Sequence, residues 1–171
     1  DERSETAVTT EKPKETTVAS VQKNIAASDW LFTNLKFGMS YEEAKKSVPG
    51  TFLPDESDAD ALIFKDCMFN GYKTNATLFF KKGKLDTILI ESPNNSGTAM
   101  CEGLYLMFCE RLGECDMVVD DTPVSTGSTV PTISNWFFAT ENNVSYSLML
   151  MYSKDYDFTS VMFSSAISDE V

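Results

Sequence analysis

Two hydrophobic periods alternate along this chain, one near 3.6 residues and one of 2, and the alternation runs through twice. Ser40 opens the first helical stretch, and Glu43 three residues on completes a capping box. Glu42 and Glu43 suit the positive N-terminal end of a helix, and Lys45 and Lys46 suit its C-terminal end. Pro49-Gly50 stops it, so the pattern predicts a helix over 40–48. Residues 51–60 read as a loop with an acidic cluster. Three strand-like runs follow, Ala61–Phe69, Thr74–Lys81 and Lys84–Glu91. In the second, Ala76, Leu78 and Phe80 share one face. Asn70-Gly71 and Lys82-Gly83 are hairpin turns between the runs.

Pro93–Gly97 breaks the meander. Ser96 or Thr98 can cap a second helix that runs through Leu112 and ends at Gly113. Cys101, Leu104, Tyr105, Phe108 and Leu112 recur at helical spacing on the face expected to meet the sheet. Residues 114–130 read as a loop. Three more strands are expected, Thr132–Thr140, Val144–Tyr152 and Phe158–Ile167. The fold class expected is therefore α+β. Two helix-plus-three-strand units would form one antiparallel sheet with both helices packed on one face. The other face would be open.

Residues 1–28 lack aromatics, are rich in Thr, Ser, Glu and Lys, and show poor apolar periodicity. Such a segment cannot bury enough surface to offset the entropy of ordering. It reads as a disordered tether, with 29–171 as a single domain. Residue 1 is already polar and reads as the start of a processed or truncated chain, with a lipid anchor expected upstream.

Charge narrows the partners. The net charge is -12, and the five acids and four bases of residues 1–28 account for only -1 of it. An acidic exterior repels phosphate backbones, so nucleic acid is not an expected partner. No apolar run is long enough for a membrane helix.

The absence of His removes the commonest general base, the Ser-His and Cys-His nucleophile pairs, and imidazole metal sites. No glycine-rich phosphate loop occurs, so no nucleotide cofactor is expected. Asp55, Asp58 and Asp60, with Asp116, Asp120 and Asp121, offer carboxylates for calcium or for hydrolysis. Their spacing is not that of an EF-hand, and solvated loops are the simpler reading. Cys67, Cys101, Cys109 and Cys115 form no Cys-x-x-Cys. They are either two disulfides or small buried hydrophobes. Should they pair, Cys67–Cys101 and Cys109–Cys115 are the expected bridges, because the chain reverses at Gly113. Leu148-Met149-Leu150-Met151 and Trp136-Phe137-Phe138 suit either core packing or an adaptable groove, and core packing is the simpler reading.

The block Leu35-Lys36-Phe37-Gly38-Met39-Ser40-x-x-Glu43 resembles the opening of two families. These are the small SmpA/OmlA-type envelope lipoproteins and the β-lactamase-inhibitor-protein-like domains, built from helix-plus-sheet units. The resemblance covers the block and the element order, and Asn95–Met100 echoes the block only weakly. It implies a secreted or lipid-anchored, non-catalytic domain that binds a protein or cell-envelope component. It carries over no functional residue. Two other functions stay open: a small-molecule or lipid carrier using the concave sheet face, and a carboxylate hydrolase built from the six aspartates above.

Overall fold

The structure, a computed structural model, describes residues 35–125, 128–139 and 145–165. The expected tether at 1–28, the turn at 141–143 and the end of the last strand beyond 165 lie outside these residues. The first helix, α1 (Tyr41–Ser47), forms where the capping box predicts it. The backbone N–H of Ser40 donates to Glu43 Oε2 at 2.9 Å, and that of Glu43 donates to Ser40 Oγ at 3.4 Å. The Ser40 N–H, and the Ser40 hydroxyl, which donates to Glu43 Oε2 at 2.8 Å, hold the Glu43 carboxyl below its usual range.

The strands are β1 (Thr51–Phe52), β2 (Ala61–Phe69), β3 (Tyr72–Lys81) and β4 (Lys84–Glu91), and then, after helix α2 (Gly97–Leu112), β5 (Met117–Ser125), β6 (Ser128–Ala139), β7 (Ser145–Ser153) and β8 (Phe158–Ser165). A short 3-10 turn, Pro54–Glu56, follows β1. All eight strands join one antiparallel sheet in the order β1-β2-β3-β4-β8-β7-β6-β5. Asn70-Gly71 and Lys82-Gly83 take positive φ (48° and 83°, 51° and 73°), the geometry of tight two-residue hairpins.

The α+β class and the single antiparallel sheet are as expected, but the unit is not a helix with three strands. Each helix is followed by four. The expected loop at 114–130 is instead β5 and the start of β6. Sheet-edge position explains the miss. β5 has a neighbour on one side only, so Asp120, Asp121 and Pro123 are tolerated within it and mask the apolar alternation. The two-residue β1 pairs with β2 through Thr51 and Phe52, inside the expected loop at 51–60.

One face of the sheet carries the core. Leu62, Phe64, Leu78, Phe80, Ile88, Ile90, Leu148, Leu150, Val161 and Phe163 are buried there, with Met100, Leu104, Phe108 and Leu112 of α2. Both helices pack on this face. α1 meets it through Ala44 and through Tyr41, whose ring lies 5.2 Å from that of Phe80, and Val48 just past its end is buried there too.

Neither Ser96 nor Thr98 caps α2 as expected. Ser96 occupies the N-cap position but makes no side-chain cap bond. The cap is Asp157, 59 residues away on the β7–β8 turn. Its Oδ1 accepts from the Thr98 N–H at 2.8 Å and from Thr98 Oγ1 at 2.6 Å. Its carbonyl accepts from the Gly97 N–H at 2.7 Å. Here the helix lies directly against the chain. A Cβ on Gly97 would stand 2.6 Å from the backbone N, Cα and C of Phe158. Backbone atoms cannot yield as a flexible side chain can.

Gly97→Ala should therefore destabilise by more than about 2 kcal/mol, and Asp157→Ala by about 1–2 kcal/mol through loss of the cap. Urea unfolding of both variants checks this, with Gly97→Ala the worse.

Candidate functional site: the open face of the sheet

Side chains alternate across a pleated strand, so the residues between the core positions project from the opposite face. No helix among the described residues lies on that face. The strand registers align its residues into rows that cross the sheet. One row runs Ile63, Thr77, Leu89, Met162, Met149, Asn135 and Met117, from β2 to β5. The row on one side holds Phe79, Thr87, Ser164, Ser147 and Phe137. The row on the other holds Asn75, Glu91, Ser160, Met151, Ile133 and Val119.

This face is apolar yet wet. Phe137 is 55% exposed, Met117 49% and Met151 37%. Met149, Met162, Leu89, Ile63 and Ile133 are half-buried. The exposed apolar residues gather towards β5, where Met117, Val118 and Val119 stand at the sheet edge. The Met-rich strand thus splits by parity. Leu148 and Leu150 belong to the core, while Met149 and Met151 belong to the open face. Trp136 likewise is buried and Phe137 is exposed. The side chain of Phe138 lies outside the described residues.

Glu91 is an acid in these open-face rows. Its carboxyl is half-buried between Asn75 and Ser160, and burial pushes its pKa above the usual carboxylate range. Burial is the sole cause of that shift, with no offset from a neighbouring cation.

Asp55, Asp58 and Asp60 do not converge with Asp116. Asp55 lies in the 3-10 turn beside β1, with Asp58 and Asp60 just after it, and Asp60 N–H donates to Asp58 Oδ1 at 2.8 Å. Asp116 precedes β5, where its Oδ2 accepts from the Phe137 N–H at 2.7 Å. β1 and β5 are the two sheet edges, on the order of 30 Å apart along the sheet. The side chains of Asp120 and Asp121 are outside the described residues. Among those that are described, no group of three or more His, Cys, Asp or Glu is placed to hold a metal.

The four cysteines are free thiols. Cys67 on β2 and Cys101 on α2 are fully buried, and burial pushes them up to about 11 and about 12. The structure does not bring this pair together. Cys101 meets Thr159 of β8, and β8 is three strand spacings from β2, about 14 Å, well beyond disulfide reach. Cys109 and Cys115 are both partly buried at the end of α2, where the charge of one is felt by the other.

A cleft of about 390 Å³ lies elsewhere, lined by Gly71, Tyr72, Lys73, Pro93, Asn94, Ser96 and Met100. It is open to solvent and sits between the β2–β3 turn and the start of α2. Among the described residues, no helix is long and apolar enough to cross a membrane.

The raised Glu91 pKa gives a testable pH dependence. Its folded-state pKa exceeds the unfolded value, so the charged form costs stability as pH rises through the folded pKa. Glu91→Gln should raise the thermal midpoint at neutral pH. The gain over wild type should vanish as pH falls below the ordinary glutamate range. Thermal melts of both proteins between acid and neutral pH check this, and equal midpoints throughout would contradict it.

Comparison with known proteins adds membership and no activity. Neither the curated proteins nor the solved structures give a match. A family model described as "Uncharacterised protein" matches residues 32–163, which is most of the chain, and the protein belongs to that family.

Proposed function

We propose that this is a non-catalytic, extracytoplasmic binding or assembly domain of lipoprotein type, and that it docks a protein or cell-envelope component on the open face of its sheet. One observation carries the reading. The row Ile63, Thr77, Leu89, Met162, Met149, Asn135 and Met117 crosses seven strands with five apolar residues, the first four of them half-buried and Met117 exposed, and no described helix lies over it. Apolar surface on that scale marks interaction sites more often than bare exterior. Methionine suits such a role, because its unbranched, polarisable side chain adapts to varied partner shapes. The extracytoplasmic placement rests on the resemblance of the Leu35–Glu43 block and on the acidic composition.

The carrier reading would use the concave sheet face and calls for an enclosed apolar cavity there; the cleft between the β2–β3 turn and the start of α2 lies elsewhere. A hydrolase reading calls for two facing carboxylates; Asp55, Asp58 and Asp60 lie beside β1, at the opposite sheet edge from Asp116.

Photo-crosslinkers at Phe137 and at Leu106 separate the faces, since Leu106 is 67% exposed on the solvent side of α2. In envelope extract, the Phe137 site should give a crosslink that unlabelled wild-type protein competes away, and the Leu106 site should not. Phe137→Asp with Met151→Asp should weaken that association at least about tenfold with the thermal midpoint nearly unchanged. Equal labelling from both sites, or undiminished binding by the double variant, would defeat the proposal.

A further inference from the structure

Met117 and Val119 belong to the open face, but Val118 between them stands opposite Ser134 on the helix side of the sheet. A molecule laid flat on the open face cannot bury it. Three successive residues of β5 therefore present apolar side chains to both faces at once, 49%, 49% and 41% exposed. What they share is the outer edge of the strand. Among the described residues β5 has a neighbour on one side only, so the N–H and C=O groups of alternate residues point away from the sheet. The start of this edge is anchored. The Asp116 N–H donates to the Asn135 carbonyl at 2.7 Å, and Asp116 Oδ2 accepts from the Phe137 N–H at 2.7 Å. Just before it, the Gly113 carbonyl accepts from Trp136 Nε1 at 3.0 Å. A strand already held in place loses little further freedom when another pairs with it.

The charges around the edge select what can pair there. Residues 110–121 hold five acids, Glu110, Glu114, Asp116, Asp120 and Asp121, and one base, Arg111. Acids bracket the apolar run on both sides, in the order Asp116, Met117, Val118, Val119, Asp120, Asp121. Sheets guard their edges with charge and proline. Asp120, Asp121 and Pro123 do so for the second half of β5, and Met117–Val119 carry no such guard. Set against the same edge of a second copy, the acids would repel. Against lysine or arginine they attract. The opposite edge of the sheet, β1, has only two residues and offers no comparable template.

We propose that the outer edge of β5 at Met117–Val119 takes up an extended peptide as a further strand, one whose apolar centre is flanked by lysine or arginine. Backbone hydrogen bonds supply the affinity. Apolar side chains of the incoming strand cover Met117 and Val119 on one face and Val118 on the other. The acids at either end of the run attract its basic flanks and set its position along the edge. The site does not rest on open-face docking, since a strand can pair with this edge while the rows between β2 and β8 stay uncovered.

A fluorescently labelled peptide with blocked ends, Lys-Lys-Val-Val-Val-Lys-Lys, tests the edge by anisotropy titration at low salt. It should bind saturably. The same peptide N-methylated at its three valines keeps its charge and loses those N–H donors, and it should bind at least about tenfold more weakly. A Glu-Glu-Val-Val-Val-Glu-Glu peptide should bind as poorly. Val118→Lys should weaken the parent peptide at least about tenfold. Leu106→Lys makes the same charge change on the exposed side of α2 and should leave binding nearly unchanged. The proposal fails if the parent peptide does not bind, if the N-methylated peptide binds as tightly, or if the two lysine variants behave alike. Sedimentation of the chain alone adds a check. A dimer that Val118→Lys breaks would assign the edge to a second copy and overturn the basic peptide as its occupant.

Discussion

The pairing of β4 with β8 is the contact on which the rest of the structure depends. Thr87–Glu91 runs antiparallel to Ser160–Ser164, with Leu89 opposite Met162. Each run of four strands is built from consecutive antiparallel neighbours, which are easily formed from sequence-local hairpins. The β4–β8 seam is different, since it joins residues more than 65 positions apart and carries the loop-closure cost of that separation. It turns two four-stranded ribbons into one sheet. Only then does each face become continuous, one for the core and one left open.

Helix α2 holds the seam in place. It leaves the end of β4 and must start where β8 begins. Gly97 permits the close approach to Phe158, Asp157 caps the helix, and Thr159 Oγ1 donates to the Gly97 carbonyl at 2.8 Å. The buried Ser92 hydroxyl accepts from the Thr159 N–H at 2.9 Å and ties the exit of β4 to the same point. One junction therefore fixes the helix, the turn and the seam together. Its polar atoms are mutually satisfied, as a buried junction requires.

Much of this architecture was legible in the residues, where the determining interactions are local. The capping box of Ser40 and Glu43, the two hairpin turns and the sheet-facing side of α2 each depend on neighbours a few positions away. Three features were not legible, each for a physical reason. Asp157 caps α2 from 59 residues away, and no local pattern marks a tertiary cap. β5 escaped notice because an edge strand obeys weaker patterning rules than an interior one. The short β1 has too few residues to carry any periodicity. As for the site, the expectation of an uncovered sheet face came from the meander itself. Its membership did not, because Met149 and Leu150 look alike in sequence, and only register assigns them to opposite faces. Glu91 was missed for the same reason. A single acid at a strand end gives no signal until its neighbours are known.

The composition of the open face bears on what it can dock. A row of valines and isoleucines would make a stiff, flat surface, prone to stack on its own copies. Here the apolar positions are largely methionine and phenylalanine. Thr77 and Asn135 interrupt the central row itself, and Thr87, Ser147 and Ser164 lie in the row beside it. The net charge of -12 opposes close approach of two identical chains and favours a partner with basic flanks. In the proposed role Glu91, in the neighbouring row, would add selectivity, since full desolvation of its carboxylate is tolerable only against a donor or a cation. In the proposed role, adaptable apolar contact, like-charge repulsion between copies and the half-buried Glu91 carboxylate would suit a different molecule with a basic group beside an apolar surface.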